Sequence, residues 1–339
     1  MRIAYSCAGE GMGHASRTTV LGPIIEERHT VVYFLPEVIR SFFVAKIGRR
    51  QFESIPHLAF QKRGERVRLL ATIFATIPLL ILFPLEMARL VLRLRALKID
   101  AVISDFEPFL PWAARFANLP VLQINHPGIV QRVPKPHPHA MLTSLATRIL
   151  EGPWNERIHV SFFSGDVGPI LRGEIFGHPV GDEGFVLLNL KNCLRPLVLP
   201  ILDSMGIAYR LFPDPRENFE RALATCSCVL STAGHQIIAE SIALNKPILV
   251  IPQEGQWEQQ LNAMMVDQTG KGRSTTIERL RGDLPGFLAD LRTFKDRPLP
   301  GRFNVTDSTR IIEFRIEAYL GRCKKQNRRM VLVPQGMRS

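Results

Sequence analysis

Residues Ser231–Asn262 read STAGHQIIAESIALNKPILVIPQEGQWEQQLN, and this stretch decides the fold. A strand predicted over Cys228–Ser231 ends at the small-residue turn 232–234, and a helix predicted over His235–Leu244 follows. A second strand is predicted at Ile248–Ile251 and leads into another helix. Short apolar strands that alternate with helices form βαβ units, so the stretch predicts part of a doubly wound parallel sheet.

The same alternation extends through most of the chain. Further strands are predicted at Ile3–Ser6, Thr30–Leu35, Ala101–Ser104, Val121–Ile124, Phe185–Leu190 and Ala208–Phe212. Further helices are predicted at Ser16–Glu27, up to Ile47, Pro108–Ala117, Leu197–Met205 and Gln256–Gln268. A Gly- and Pro-containing connector interrupts the rhythm at Ser164–Glu183. We therefore predict an α/β chain with two Rossmann-like domains, residues 1–164 and 184–321, joined by a linker at 165–183 and followed by a loose basic tail at 322–339.

Length and composition favour two globular cores and an anionic partner. The 339 residues include 46% hydrophobic ones and carry a net charge of +12, which suits nucleotides, nucleic acid or acidic lipid headgroups. No reading helix, zinc module or RNA-binding aromatic pattern accompanies that charge, so nucleic acid is not expected. The odd cysteine count and the start MRIAYSC, which lacks the order of a signal peptide, favour a reducing cytosol.

The small-residue turn predicts an anion site. Thr232, Ala233 and Gly234 let the backbone approach a ligand, and the amides of the helix that begins at His235 suit a diphosphate. Glu240 lies within two turns of that helix start, where a carboxylate can accept hydrogen bonds from both hydroxyls of a ribose. The loop after the next strand leads to Glu258, Gln259, Gln260 and Asn262, whose fixed donors and acceptors suit sugar hydroxyls.

This segment resembles the donor-nucleotide signature of GT-B glycosyltransferases. It is most similar to the group that contains the N-acetylglucosaminyltransferase of lipid II synthesis and the plant galactolipid synthase, and its spacing agrees through Pro247 and Pro252. The resemblance implies two Rossmann-like domains that face each other across a cleft, and a UDP-sugar donor in the C-terminal domain. It also implies that the turn holds the diphosphate, that Glu240 binds the ribose, and that residues 258–260 contact the sugar. It implies no cofactor and no bound metal.

The first βα loop, Ala8–Arg17, reads AGEGMGHASR and is the second signal. Gly9, Gly11 and Gly13 permit positive φ and a close backbone approach. The spacing departs from the dinucleotide pattern GxGxxG, because His14 stands where the third glycine belongs. The loop resembles the glycine loop of GT-B enzymes, which implies that His14 faces the cleft near the acceptor hydroxyl. A neutral imidazole there suits a general base, while capping a helix or positioning the donor phosphate remain alternatives.

Polar residues at other strand ends complete the candidate site. Asp105 follows a buried strand and is predicted either to orient His14 or to cap a helix, with Glu107 as a substitute. Asn125 and His126 follow the next strand and are predicted on the acceptor side, although a structural role for that histidine is also open. His137 and His139 lack a third ligand, so no metal site is predicted there.

The uncharged segment Leu69–Leu85, flanked by arginines, is the one break in the pattern. It is shorter than a typical span of about 20 residues, so a membrane-docking hairpin or interfacial patch is predicted, with a long buried helix as the alternative. Together these features predict an inverting, metal-independent hexosyltransferase, cytoplasmic and peripheral on the inner face of the membrane, with a lipid acceptor. Alternatives are a UDP-sugar 2-epimerase or hydrolase and a non-catalytic nucleotide-sugar-binding subunit.

Overall fold

A computed structural model describes residues 1–10, 12–58, 62–63, 66–67, 69–214 and 216–332. For residues 62–63, 66–67, 69–80 and 326–332 it describes the backbone only.

The N-terminal domain is built on a parallel sheet of six strands in the order β3-β2-β1-β6-β7-β8. A short antiparallel pair, β4 and β5, lies outside that sheet. The strands of this half are β1 (Arg2–Cys7), β2 (Thr30–Leu35), β3 (Phe52–Ser54), β4 (Lys62–Arg63), β5 (Arg66–Val67), β6 (Ala101–Asp105), β7 (Val121–Asn125) and β8 (Glu156–His159). Each strand of the sheet centre is an apolar run buried on both faces, as parallel sheets require.

The C-terminal domain is built on a second parallel sheet of five strands in the order β10-β9-β11-β12-β13. These strands are β9 (Val186–Asn189), β10 (Tyr209–Phe212), β11 (Cys228–Thr232), β12 (Ile248–Ile251) and β13 (Gly272–Ser274). The expected α/β architecture with two doubly wound domains is therefore confirmed.

Helices cover both sheets. Their bounds are α1 (Met12–Glu26), α2 (Glu37–Ile47), α3 (Leu69–Ala96), α4 (Phe109–Phe116), α5 (Pro138–Leu150), α6 (Arg195–Ser204), α7 (Phe219–Thr225), α8 (His235–Ala243), α9 (Trp257–Thr269), α10 (Ile277–Ala289), α11 (Leu291–Asp296) and α12 (Thr309–Leu332). The 3-10 turn Pro127–Gln131 lies between β7 and α5, and the 3-10 turn Gly173–Gly177 lies between β8 and β9.

The two domains share an apolar interface. One buried cluster contains Ile129, Ala140 and Phe162 from the first half together with Ile237 and Trp257 from the second. Burial of apolar side chains at about 25 cal/mol per Å² stabilises this contact. The interface therefore fixes the two sheets relative to each other beneath the cleft.

The assignment of residues 184–321 entirely to the C-terminal domain is wrong for the last helix. Helix α12 crosses back, and Ile312, Ile316 and Tyr319 pack in the same cluster as Ile3 and Leu21 of the N-terminal domain. The tail was also predicted to begin too early, at residue 322. Cys323 is buried and the helix continues to Leu332. The sequence gives no local signal for this packing, because the partner surface lies about 300 positions earlier.

The segment predicted as a docking hairpin is one continuous helix. Residues 69–85 form the first part of α3, and the side chains of 69–80 lie outside the described residues. Beyond them, Ile81 and Leu85 are 72% and 68% exposed, so the alternative of a fully buried helix does not hold for this portion. Within the described residues, no helix has the length and apolar character needed to cross a membrane.

Candidate active site

A cleft of about 1470 Å³ separates the two sheets. Its first wall consists of residues that follow β1, β6 and β7, and its second wall of residues that follow β9, β10, β11 and β12. Both sheets therefore present the carboxyl ends of their strands to the same space, where ligands of doubly wound folds bind.

His14 lies on the first wall and contacts Asp105. Its Nδ1 is 2.7 Å from Oδ1 of Asp105, which is 91 positions away in the chain. Parallel pairing of β1 with β6 sets Cys7 beside Asp105, so the carboxylate faces the turn that opens α1. The predicted orientation of His14 by Asp105, rather than helix capping, is thus present in the structure.

Arg17 is a third member of this cluster that the sequence did not suggest. Its Nε and Nη2 donate to the two oxygens of Asp105 at 2.9 and 2.8 Å, and Nη2 is 2.9 Å from Nδ1 of His14. Arg17 and Asp105 are 3% and 1% exposed. The signal was available in principle: α1 begins at Met12, which places His14 and Arg17 three residues apart on one helical face.

The charges of the cluster decide where the imidazole proton lies. Burial raises the pKa of Asp105, but the Arg17 guanidinium and His14 outweigh it and hold that pKa below its usual value. An ionised oxygen 2.7 Å from Nδ1 requires a donor there, and an arginine does not accept. The proton of a neutral His14 therefore lies on Nδ1, and Nε2 carries the lone pair. A lone pair at Nε2 is what a general base needs.

Glu107 has the capping role that was considered for Asp105. Its two carboxylate oxygens accept from the backbone N–H groups of Phe109 and Leu110 at 2.6 and 2.9 Å, at the start of α4. Burial raises its pKa to about 7, although those backbone donors lower it. Between the two acids, Phe106 has a φ of +59° and stacks on His14 with ring centroids 5.8 Å apart.

Gly9 and Gly13 of the first wall matter for their lack of a side chain and not for a positive φ. Neither Gly9 nor Gly13 adopts a left-handed backbone, so that part of the prediction is wrong. A Cβ on Gly9 would lie 2.9 Å from the His57 ring, so a larger residue there would have to displace that ring. A Cβ on Gly13 would lie 3.9 Å from Cβ of Gln236, so the turn before His14 faces the first turn of α8. Gly11 lies outside the described residues.

The start of α8 forms the centre of the second wall. Thr232 ends β11, Gly234 is the N-cap, and both line the cleft together with His235. Ala233 is fully buried and does not line the cleft; its carbonyl accepts from Asn262 at 3.1 Å. The backbone N–H groups of this helix start and the helix dipole suit an anion, as the sequence predicted, and the site stays a prediction.

Glu240 lines the cleft one and a half turns into α8, and Arg172 binds it. The guanidinium donates to the two carboxylate oxygens at 2.8 and 2.5 Å, and Gln236 donates at 2.7 Å. Arg172 also contacts Glu220 at 3.0 Å. Arg172 belongs to the connector between the domains, where the sequence offered no pattern to identify it.

The residues predicted to contact the sugar divide into three cases. Glu258 lines the cleft with 34% of its side chain exposed, and partial burial raises its pKa. Gln259 lines the cleft as well, but its amide accepts from Gln253 N at 2.9 Å and donates to Gln256 at 2.6 Å, so it holds the loop. Gln260 is not among the described residues that line the cleft.

His126 joins the two domains. Its Nδ1 is 3.1 Å from Val160 O and its Nε2 is 3.1 Å from Oδ1 of Asn262, and its ring stacks on His235 with centroids 3.8 Å apart. Burial, with the nearby Arg17 charge, lowers its pKa to about 3. His126 lines the cleft, but each of its nitrogens lies next to a polar group of the protein, in keeping with the structural alternative.

Asn125 does not lie on the acceptor side as predicted. It is fully buried and bonds Glu151 at 3.1 Å and Gly128 N at 2.9 Å, because the last residue of β7 points beneath the turn rather than into the cleft. His137 is the N-cap of α5 and accepts from Ala140 N at 3.1 Å. In the part of the chain that the structure describes, no group of three metal-ligating side chains is found.

Aromatic side chains dominate the rest of the first wall. Phe83 from the middle of α3 lies there with Phe109, Trp112 and Phe116 of α4, and the aliphatic Ile149 at the end of α5 joins them. Trp112 and Phe116 are 39% and 54% exposed and lie on one face of α4 with ring centroids 6.2 Å apart. This half of the cleft is therefore apolar and open to the surface.

Two parallel-sheet domains that face each other across a cleft, each presenting the carboxyl ends of its strands, define the GT-B class of glycosyltransferases. The chain belongs to glycosyl transferase family 1, whose family model matches residues 1–150 and 204–292. The protein is therefore a glycosyltransferase, as the sequence predicted.

The chain is similar to two proteins of Methanosarcina acetivorans, each named an uncharacterized glycosyltransferase. One is 23% identical over 324 residues, which cover 80% of this chain and 85% of the relative. The other is 25% identical over 331 residues, which cover 80% and 83%.

Solved structures with the same fold include CalG4, the calicheamicin glycosyltransferase, with a TM-score of 0.61, 14% identity and coverage of 95% of this chain and 98% of that chain. MurG of Acinetobacter baumannii has a TM-score of 0.56, 14% identity and coverage of 94% and 99%. The GT-B resemblance is confirmed, while the narrower group that includes the galactolipid synthase stays a prediction.

Proposed function

We propose that the protein transfers a hexose-type sugar from a UDP-sugar to the hydroxyl of a membrane lipid, with inversion at the anomeric carbon. The observation that carries the proposal is the approach of Gly13 to Gln236, which brings the His14 turn to the anion site at the start of α8. A base and a leaving-group site on opposite walls are what a single in-line displacement needs.

The second wall suits the donor. The amides at the start of α8 would hold the diphosphate and stabilise the charge that develops on it as it leaves. Glu240 would bind the ribose hydroxyls; because both of its oxygens contact Arg172, the ribose would share that carboxylate with the guanidinium. Glu258 lies across from His126 at 3.7 Å and is available to the sugar.

The first wall suits an acceptor with an apolar body. Nε2 of His14 would take the proton of the acceptor hydroxyl as its oxygen attacks the anomeric carbon, and the bond from that carbon to the diphosphate would break with its electron pair leaving on UDP. Asp105 would stabilise the imidazolium that forms. No step of this proposal uses a metal ion, so EDTA is expected to leave transfer intact.

An exposed apolar rim beside the acceptor half supports a lipid at the inner face of the membrane. Phe116, Leu145 and Ile149 are 54%, 57% and 62% exposed. Arg115 and Arg148 are exposed on the same two helices, at the level that anionic headgroups would reach. Apolar groups flanked by arginines are typical of interfacial binding.

Purified protein, radiolabelled UDP-sugars and vesicles of extracted lipid test the proposal. Label is expected to enter the lipid phase with wild-type protein and to fall at least about a hundredfold with His14→Gln, while UDP binding measured by calorimetry persists. His139→Gln, an exposed histidine, is the matched control. Release of free sugar or of an epimer without lipid would replace transfer by hydrolysis or epimerisation, and no binding of any UDP-sugar would refute the donor assignment.

A further inference from the structure

The residues around His14 carry an arrangement of charge that a histidine–aspartate pair alone does not need. Arg17 is buried and donates to both oxygens of Asp105. Its Nη2 also lies 2.9 Å from Nδ1 of His14. A cation and a carboxylate therefore both lie next to the same ring nitrogen of His14.

We propose that Arg17 positions Asp105 and balances its charge, so that the group of His14, Asp105 and Arg17 is neutral before proton transfer and carries one positive charge after it. This inference rests on the proposed role of His14 as the base. Arg17 touches neither substrate nor the reacting atoms in this proposal; it acts through Asp105 and is a positioning residue.

Arg17 holds the Asp105 carboxylate in one orientation. Nε and Nη2 of Arg17 contact separate oxygens at 2.9 and 2.8 Å, the two-point fork that arginine forms with a carboxylate. Oδ1 is thereby held 2.7 Å from Nδ1 of His14. A rigid acceptor at Nδ1 keeps the lone pair at Nε2 pointing away from Asp105.

The charge balance follows from the same contacts. The charges of neutral His14, ionised Asp105 and Arg17 add up to zero. After the acceptor proton reaches Nε2, they add up to one positive charge. The departing diphosphate on the facing wall gains negative charge in that same step. Without Arg17 the net charge would be one negative charge before proton transfer and zero after it. The first wall would then repel the diphosphate before transfer and offer it no attraction afterwards.

Other charged or titratable groups face His14 from the elements around it. They are Glu258 on α9, His126 after β7 and His235 at the start of α8. Burial lowers the pKa of His126 and of His235, so both are neutral near pH 7. Arg17 is a near neighbour of the ring, with Nη2 2.9 Å from Nδ1 of His14.

The test determines the tautomer of the neutral His14 ring by nitrogen NMR in histidine-labelled protein, with the signals assigned by their loss in His14→Gln. Wild type is expected to show the Nδ1–H form, and Arg17→Gln a mixture with the Nε2–H form, because Asp105 is no longer held against Nδ1. The same variant is expected to transfer sugar at least about tenfold more slowly, since Asp105 loses its orientation. Arg28→Gln, an exposed arginine that follows α1, should change neither quantity.

A folded Arg17→Gln protein that keeps the pure Nδ1–H form would overturn the proposal. Arg17→Lys carries the test if the glutamine variant does not fold: it keeps the charge but not the fork, so the Nε2–H form should again appear and transfer should fall. A lysine variant that keeps both the pure Nδ1–H form and wild-type transfer would also overturn it. The tautomer is measured without substrate, so an inactive wild-type protein would count against the proposed function alone.

Discussion

Methionine in place of Arg172 removes the cation that both oxygens of Glu240 contact. Glu240 is fully buried, and the guanidinium donates to it at 2.8 and 2.5 Å. Removing one partner of a buried ion pair costs about 3–5 kcal/mol, because the remaining charge has lost its counter-ion. We therefore expect Arg172→Met to lower the free energy of unfolding by about 4 kcal/mol. Glu220, the other carboxylate on Arg172, keeps Lys46 at 3.2 Å and adds little to this loss.

The reverse substitution is expected to cost less. Glu240→Gln leaves Arg172 paired with Glu220 at 3.0 Å, so no charge is left alone, and the loss should be about 1–2 kcal/mol. Arg172→Met combined with Glu240→Gln removes both charges. The double variant should therefore be more stable than Arg172→Met by about 2 kcal/mol, because the buried carboxylate is gone.

Urea unfolding followed by circular dichroism at pH 7.5 measures all four proteins. Arg216→Met is the matched control, because the Arg216 side chain is 86% exposed and its loss should change stability by less than about 0.5 kcal/mol. If the double variant is no more stable than Arg172→Met, the loss comes from packing of the Arg172 stem and not from a stranded carboxylate, and the reasoning is refuted.

Three further outcomes are expected. Burial raises the pKa of Glu107 to about 7, so the folded chain keeps a proton there that the unfolded chain releases near pH 4.3. The free energy of unfolding should therefore fall by about 2.4 kcal/mol from pH 5 to 7.5, and Glu107→Gln should flatten that fall in urea titrations. Burial lowers the pKa of His126 to about 3 and that of His235 well below its usual value, so stability should fall by about 2 kcal/mol per histidine as pH drops from 6.5 to 5; an equal fall in the double glutamine variant would contradict this. Phe116→Ser with Ile149→Ser should reduce co-sedimentation with anionic vesicles at least about tenfold, whereas unchanged binding would remove this rim as the membrane contact.

The sheets were predictable because their strands are short apolar runs bounded by turn residues. Thr30–Leu35 and Ile248–Ile251 coincide with the predicted strands, and the other predicted strands differ by one or two positions at their ends. Strand β8 was not predicted, because Glu156–His159 reads ERIH and carries no apolar run. This segment forms a strand by pairing with β7. Tertiary pairing, not local propensity, makes that segment a strand.

The residues of the candidate site were predictable from the sequence, but the contacts between them were not. Asp105 and His14 were identified from their positions after strands, but whether they meet depends on the register that sets Cys7 beside Asp105. Glu240 was identified from its distance to a turn, while its partner Arg172 comes from a connector with no periodic pattern. Contacts between residues far apart in sequence leave no trace in a single chain's spacing.

The start of α1 had the largest consequence for the chemistry. Glycines at 9, 11 and 13 favoured a loop that continues to Ser16, but the helix begins at Met12, and neither Gly9 nor Gly13 needs positive φ. A loop would leave the direction of Arg17 free, whereas a helix places it one turn after His14 and on the same face. Once Asp105 ends the neighbouring strand, that face holds a base, a carboxylate and a cation within hydrogen-bonding distance of one another. A four-residue difference in one helix start thus adds Arg17 to the His14–Asp105 pair and makes it a charge-balanced group of three.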